Sequence, residues 1–167
     1  MKLLSIDQSL SSTGIIIWED ELKWQIAKST KGDDVVVRIR TITEQIGYLI
    51  KTHKITHVVI ESLPYGINST SVRPLAGLYY CIANLCKDLK IEFAEANVTG
   101  VKKFATGSGK AKKEDMIAAA IKAQPVLFEN IAKLKIKKTT GLADLADAYW
   151  IGAYYRNQTT DAEWPSF

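Results

Sequence analysis

Cysteine, histidine and proline are scarce in this chain: two, two and four residues among 167. Cys81 and Cys86 lie five apart in one apolar segment with no histidine close by, so they are read as buried thiols rather than as a disulfide or half of a metal cluster. No apolar run approaches the length of a membrane span, and "MKLLSID" turns polar too soon for a signal peptide, so no membrane partner is expected. Internal repeats, low-complexity tracts and linkers are also missing. With 47% hydrophobic and 24% charged residues the composition is that of a folded domain, not a disordered chain. The expectation is one domain over residues 1–157, a loosely tied tail over 158–167, and a cytoplasmic location.

What is present is a regular succession of short apolar runs and longer helical periods. "KLLSID", "TGIIIW" and "LKWQIA" are rich in β-branched and aromatic residues and are separated by turn-forming stretches, which predicts three strands in an antiparallel meander. Residues 33–51 place apolar side chains at Val36, Ile39, Ile42, Ile46, Leu49 and Ile50 behind two aspartates, a helical period. "THVVIES" is a short continuous apolar run, as in a strand buried on both faces. "SVRPLAGLYYCIANLCKDL" returns to helical spacing, "KIEFAEA" is a further strand, and "KKEDMIAAAIKA" is a helix stopped before Pro125. A last helix spans about Leu142 to Arg156, with Thr140 placed to cap it. This order predicts an α/β mixed sheet, a three-strand antiparallel meander plus parallel strands, with helices on both faces.

Four acids stand out against this frame. Asp7 ends the first strand and Glu61 ends "HVVIE"; carboxyl ends of core strands are where open α/β sheets hold ligands. Taken singly, Asp7 is equally a turn residue and Glu61 a surface or capping acid. Asp144 and Asp147 are three apart on one face of the last helix, inside an apolar run. Asp144 suits the positive end of the helix dipole, but Asp147 is surrounded by Leu145, Ala146, Ala148 and Tyr149. A buried carboxylate must be paired, protonated or bound to a cation. Scattered carboxylate oxygens suit Mg²⁺, and two such ions ~3.5–4 Å apart serve phosphodiester cleavage.

Net charge is only +4 but uneven, with Lys102, Lys103, Lys110, Lys112 and Lys113 in the loop-like stretch "VKKFATGSGKAKK" and more lysines in "KLKIKK". Such a cluster is either a phosphate-backbone surface or a solvated basic face. Arg73 and Arg156 carry the same two readings, and His53 and His57 are read as surface histidines. The helix containing Leu75, Leu78, Tyr79, Tyr80, Ile82 and Leu85 is apolar around much of its circumference, either as a core helix or with one face for a partner copy.

In order and spacing, "IDQSLSSTG", "VVIE", "VKKFATGSGKAKK" and "DLADA" resemble the RuvC family of Holliday-junction resolvases, within the RNase H-like nucleases. The resemblance covers nearly the whole chain. It implies that Asp7, Glu61, Asp144 and Asp147 are catalytic, metal-binding carboxylates using Mg²⁺, with Mn²⁺ able to substitute. It implies basic residues near the scissile phosphate at Lys102 and Lys113, the latter also a candidate in catalysis. A homodimer would nick two opposing strands of four-way or branched DNA in a bacterial or phage-infected cytoplasm, leaving 5′-phosphate and 3′-hydroxyl ends. The chain departs from the family at Gln8-Ser9, where Pro-Gly is frequent, and at Pro64, where an aromatic is frequent; Tyr65 is then either a stacking residue or a loop tyrosine.

Other classes remain to be weighed. A non-catalytic junction-binding protein has no need of all four acids. An RNA–DNA hybrid ribonuclease would share the fold. An actin- or sugar-kinase-like ATP-binding module shares the opening strands with their Asp and Thr-Gly, but needs a second glycine-rich phosphate loop that is not found, so no nucleotide cofactor is expected.

Overall fold

The computed structural model describes residues 1–63, 72–133 and 141–159. Strands β1 (Leu3–Asp7), β2 (Thr13–Trp18) and β3 (Lys23–Ala27) form the expected meander, followed by helix α1 (Val35–His53) and strand β4 (His57–Glu61). Helix α2 (Val72–Asp88) leads to β5 (Glu92–Ala96), α3 (Val98–Thr106), α4 (Lys113–Ala123), α5 (Pro125–Lys133) and α6 (Gly141–Thr159). Thr140, Pro64 and Tyr65 lie outside the described residues.

The sheet order is β3-β2-β1-β4-β5, antiparallel from β1 to β3 and parallel from β1 through β4 to β5. Strand side chains alternate between faces, and the core divides along that alternation. Leu4, Ile6, Ile15, Ile17, Val58 and Ile60 pack with Ile42, Ile46, Leu78 and Ile82 of α1 and α2. Leu3, Ile16, Trp18 and Val59 pack with α3 to α6, through Val101, Met116, Phe128, Leu145 and Tyr149.

Helix α6 presses unusually closely on this second face. Ala143, Ala146 and Ala148 are buried against it. A Cβ on Gly152 would stand 2.3 Å from Trp18 Nε1 and 2.6 Å from Ser5 Oγ, so only glycine fits there. The Trp18 indole N–H donates to Ser5 Oγ at 2.7 Å, and the Trp150 indole N–H donates to the Met116 carbonyl at 3.2 Å, so both indole donors of this layer are satisfied.

Several expectations change. The lysine-rich stretch is not simply a loop: Val98–Thr106 is helical, capped by the Asn97 side chain accepting from Gly100 N at 3.0 Å and ended by Gly107 at φ 81°. Pro125 ends one helix but opens α5, since a first-turn position needs no N–H. Val36 is exposed, in the first turn of α1 with Val35 and Val37. Cys86 is buried as expected, but Cys81 is exposed, on the outer face of α2 beside Tyr80.

His53 is also not a free surface histidine. Its Nδ1 lies 3.2 Å from Glu19, which Lys23 Nζ reaches at 2.9 Å and Lys2 Nζ at 3.5 Å. The Lys23 hydrogen bond, with help from His53, pulls the Glu19 carboxyl down to about 2. A depressed carboxyl stabilises the fold above its unfolded value and loses that contribution as pH falls. Glu19→Gln is therefore expected to lower the melting temperature at pH 7, the deficit closing as pH drops from 4.5 to about 2. Melting curves of both proteins across that range check this; a deficit that persists unchanged at low pH would refute it.

Candidate active site at the carboxyl ends of the parallel strands

Alternation and register together decide where Asp7 and Glu61 point. In the parallel pair β1/β4, Ser5 stands opposite Val59 and Ile6 opposite Ile60. The next residues, Asp7 and Glu61, therefore emerge side by side on the face that carries Leu3, Val59 and α6. Their carboxyl groups stand close enough for each to act on the other's charge.

Helix α6 brings the other two acids to the same place. Its first turns cross the start of β2 so closely that a Cβ on Gly14 would stand 2.2 Å from the Asp144 carbonyl oxygen. The glycine of "STG" is thus a clearance for α6. Asp147, one turn on, lines with Asp7 and Glu61 a cavity of about 270 Å³. Lys102 of α3 and Lys113 of α4 line it too, and Val101, Met116 and Ile151 supply an apolar lining. Asp144 does not line the cavity, but its charge reaches both Asp7 and Asp147.

The electrostatics are those of crowded acids. Burial, then repulsion from Asp147, Glu61 and Asp144, holds the Asp7 carboxyl well above the usual range, with only Lys113 opposing. Burial and Asp147 raise Glu61 against the pull of Lys102 and the Asp7 hydrogen bond. Burial pushes Asp147 up to about 6 although Lys113 and Lys102 both favour its charge. Asp144 is raised by burial and partly relieved by a hydrogen bond from Ser12 and by Lys113. The cluster is short of positive charge.

The donor set tests whether a divalent cation fits. Hard carboxylate oxygens from three elements, crowded enough to resist ionisation, suit Mg²⁺ or Mn²⁺ better than softer metals. Beside them, Gln8 Nε2 donates to the Glu61 carbonyl at 3.3 Å, while its Oε1 is buried with no hydrogen-bond partner among the described residues. Among the described residues no three such side chains already stand at ligand spacing. The residues fit the ion.

The other candidates from sequence are spread more widely. Lys103, Lys110 and Lys112 are exposed along α3 and its connection to α4, outside the cavity. Arg73 is exposed in the first turn of α2, also outside it. Arg156 is buried over the Trp18 ring at 4.6 Å, a core cation–π contact rather than a surface charge. Sequence reasoning missed Gln8 and Ser12; the one signal was a serine-rich turn directly after Asp7.

Like charges held together at neutral pH strain the fold, as active sites commonly do. In the presence of chelator, Asp7→Asn is expected to raise stability at pH 7 by ~1 kcal/mol, roughly 2–4 °C in melting temperature. For acids with raised values the folded state binds more protons than the unfolded one, so their penalty fades as pH falls. The gain should shrink as pH falls toward the ordinary carboxylate range, because burial and its acidic neighbours hold Asp7 well above that range. Thermal melts from pH 8 to 4 decide this, and a loss of stability at pH 7 would contradict it.

Comparison with known proteins follows the same outline. The family model described as "Crossover junction endodeoxyribonuclease RuvC" matches residues 3–152. The RuvC of Aliarcobacter butzleri is 31% identical over 89% of this chain and 93% of its own length. The RuvC of Campylobacter concisus is 28% identical over 94% of this chain and 97% of its own. The structure of Thermus thermophilus RuvC in complex with a Holliday junction substrate superposes with a TM-score of 0.73 at 14% identity, over 96% of this chain and 97% of that one, which shows a shared fold. By the extent of the family match, and by the agreement of full-length relatives with it, the chain belongs to the RuvC family of crossover junction endodeoxyribonucleases, a family of metal-dependent nucleases.

Proposed function

We propose that this chain is a Mg²⁺-dependent, structure-selective endonuclease that resolves four-way or related branched DNA by paired nicks, with Mn²⁺ able to replace Mg²⁺. The observation that carries the reading is the meeting of Asp7, Glu61 and Asp147 with Lys102 and Lys113 around one cavity. Asp7, Glu61, Asp144 and Asp147 would hold the cations. Bound there, the ions supply Lewis acidity for in-line hydrolysis of a phosphodiester.

The chain's own groups do the rest. Lys113 and Lys102, lining the same cavity as the acids, draw the phosphate in and offset charge on its oxygens. Val101, Met116 and Ile151 narrow the cavity and limit water around the reacting phosphate. Lys103, Lys110 and Lys112 continue the positive surface outward along the backbone of the strand, with Arg73 and Tyr65 as further contacts. A four-way junction has near two-fold symmetry, so two nicks call for two sites related by an axis, hence a homodimer. Helix α2 suits such a pairing: Leu78, Tyr79, Ile82 and Cys86 are buried while Tyr80 and Cys81 face outward. No described helix is long and apolar enough to cross a membrane, and the cytoplasm is the expected location.

Cleavage of labelled four-way junction, fork, linear duplex and RNA–DNA hybrid with Mg²⁺ tests the reading. Wild type should nick the junction at paired positions, and Asp7→Asn should bind it without cutting. Equal cutting by both proteins, or cutting of the hybrid alone, would defeat it. Lys102→Ala and Lys113→Ala should each weaken junction binding and reduce its salt slope by ~1, as a lost phosphate contact does. An unchanged slope would return these lysines to ordinary surface charge.

A further inference from the structure

The turn between β1 and β2, residues 8–12, starts directly after Asp7 and leads through Thr13 into Gly14, which packs on the Asp144 backbone, so it lies near two of the four acids. Its own hydrogen bonds make it compact. Thr13 Oγ1 donates to the Ser9 carbonyl at 2.5 Å and accepts from Ser9 N at 3.1 Å. Ser9 Oγ accepts from Ser11 N at 3.2 Å and Ser12 N at 3.4 Å. From this turn the Ser12 hydroxyl favours the charged Asp144 carboxylate, and Gly14 just beyond it packs on the Asp144 backbone and Cβ.

One side chain from elsewhere ties the turn down. Arg38, half-buried on α1, donates through NH2 to the Leu10 carbonyl at 3.0 Å and to Ser11 Oγ at 3.1 Å. Its Nε donates to Ser29 Oγ at 3.0 Å, and the Ser29 hydroxyl in turn donates to the Leu10 carbonyl. These bonds use the planar fork of a guanidinium, which the single ammonium of lysine cannot reproduce. Arg38 lies outside the cavity.

We infer that Arg38 is a positioning residue for the cation site: it clamps the β1–β2 turn, which carries Ser12 and leads into Gly14 packed on Asp144, and so keeps the Asp144 carboxylate in the orientation the ion requires. The inference rests on the proposed role of Asp144 in holding a cation. Groups that orient metal ligands from behind typically change metal affinity by about 10–100-fold when removed. The close approach of Gly14 to the Asp144 backbone gives the turn a second hold on the same residue.

The experiment reads cation binding without DNA, as melting temperature against Mn²⁺ concentration, for wild type, Arg38→Lys, Arg38→Met, Ser12→Ala and the Arg38→Lys/Ser12→Ala double variant. Each single variant should raise the half-stabilising Mn²⁺ concentration about tenfold, and the double variant no further than the larger single effect, because both act through one connection. Lysine should not rescue methionine. An unchanged midpoint in Arg38→Lys or in Ser12→Ala overturns the inference, as does a double variant whose effects multiply. Rescue by lysine would make Arg38 a charge contact and overturn it also, and so would a wild-type melting temperature indifferent to Mn²⁺. If wild type responds to Mn²⁺ yet cuts no branched DNA, the proposed function fails while the Mn²⁺ midpoints still judge Arg38.

Discussion

The site depends on the parallel register of β1 against β4. Ile6 opposite Ile60 puts Asp7 and Glu61 one step further on, both at the rim and both on the α6 face. A slip of one residue in either strand would turn one acid toward α1 and α2 and bury its apolar neighbours on the wrong side. The same slip would bring Ile60 or Ile6 under α6. The core that fixes the register therefore also fixes the chemistry, and the two cannot be varied independently.

Helix α6 is the other half of that arrangement, and its composition follows from proximity. Gly14 and Gly152 clear its path over β2 and β1, and Ala143, Ala146 and Ala148 keep its sheet-facing side thin. Close approach brings Asp147 into the cavity with Asp7 and Glu61, and Asp144 within reach of their charge. It also raises all four acids above their usual range, with burial the leading cause in each case. Packing that would ordinarily stabilise a domain here holds a charge conflict in place.

Much of this was legible in the sequence because the determining signals are local. Short apolar runs ending in Asp7 and Glu61 marked strand ends, and acids inside "GLADLADAYW" marked a helix with something other than solvent to face. Helix α3 was hidden because its nine residues include Val98, Thr99 and Gly100, poor helix formers, although Asn97 and Gly107 cap it at both ends. Helix α5 is hidden because Pro125 signals the end of one helix as readily as the first turn of the next. The exposure of Cys81 and Val36 depends on what packs against each helix, which no periodicity reports. The links from Arg38 to Ser11, and from Ser12 to Asp144, join segments 27 residues apart in one case and distant along the chain in the other, so only the folded structure brings them together.

The departure at Gln8-Ser9 then takes on a physical meaning. A proline at position 8 would stiffen the turn through its own ring and carry no hydrogen-bonding side chain. Here Gln8 instead ties the end of β1 to the Glu61 carbonyl, and Ser9 organises the turn through its hydroxyl and backbone. Rigidity that a ring could supply locally is supplied by side chains and by Arg38 from α1. A turn held in this way is only as firm as the contacts from outside it, which makes the geometry of Asp144 sensitive to residues that never touch the cavity.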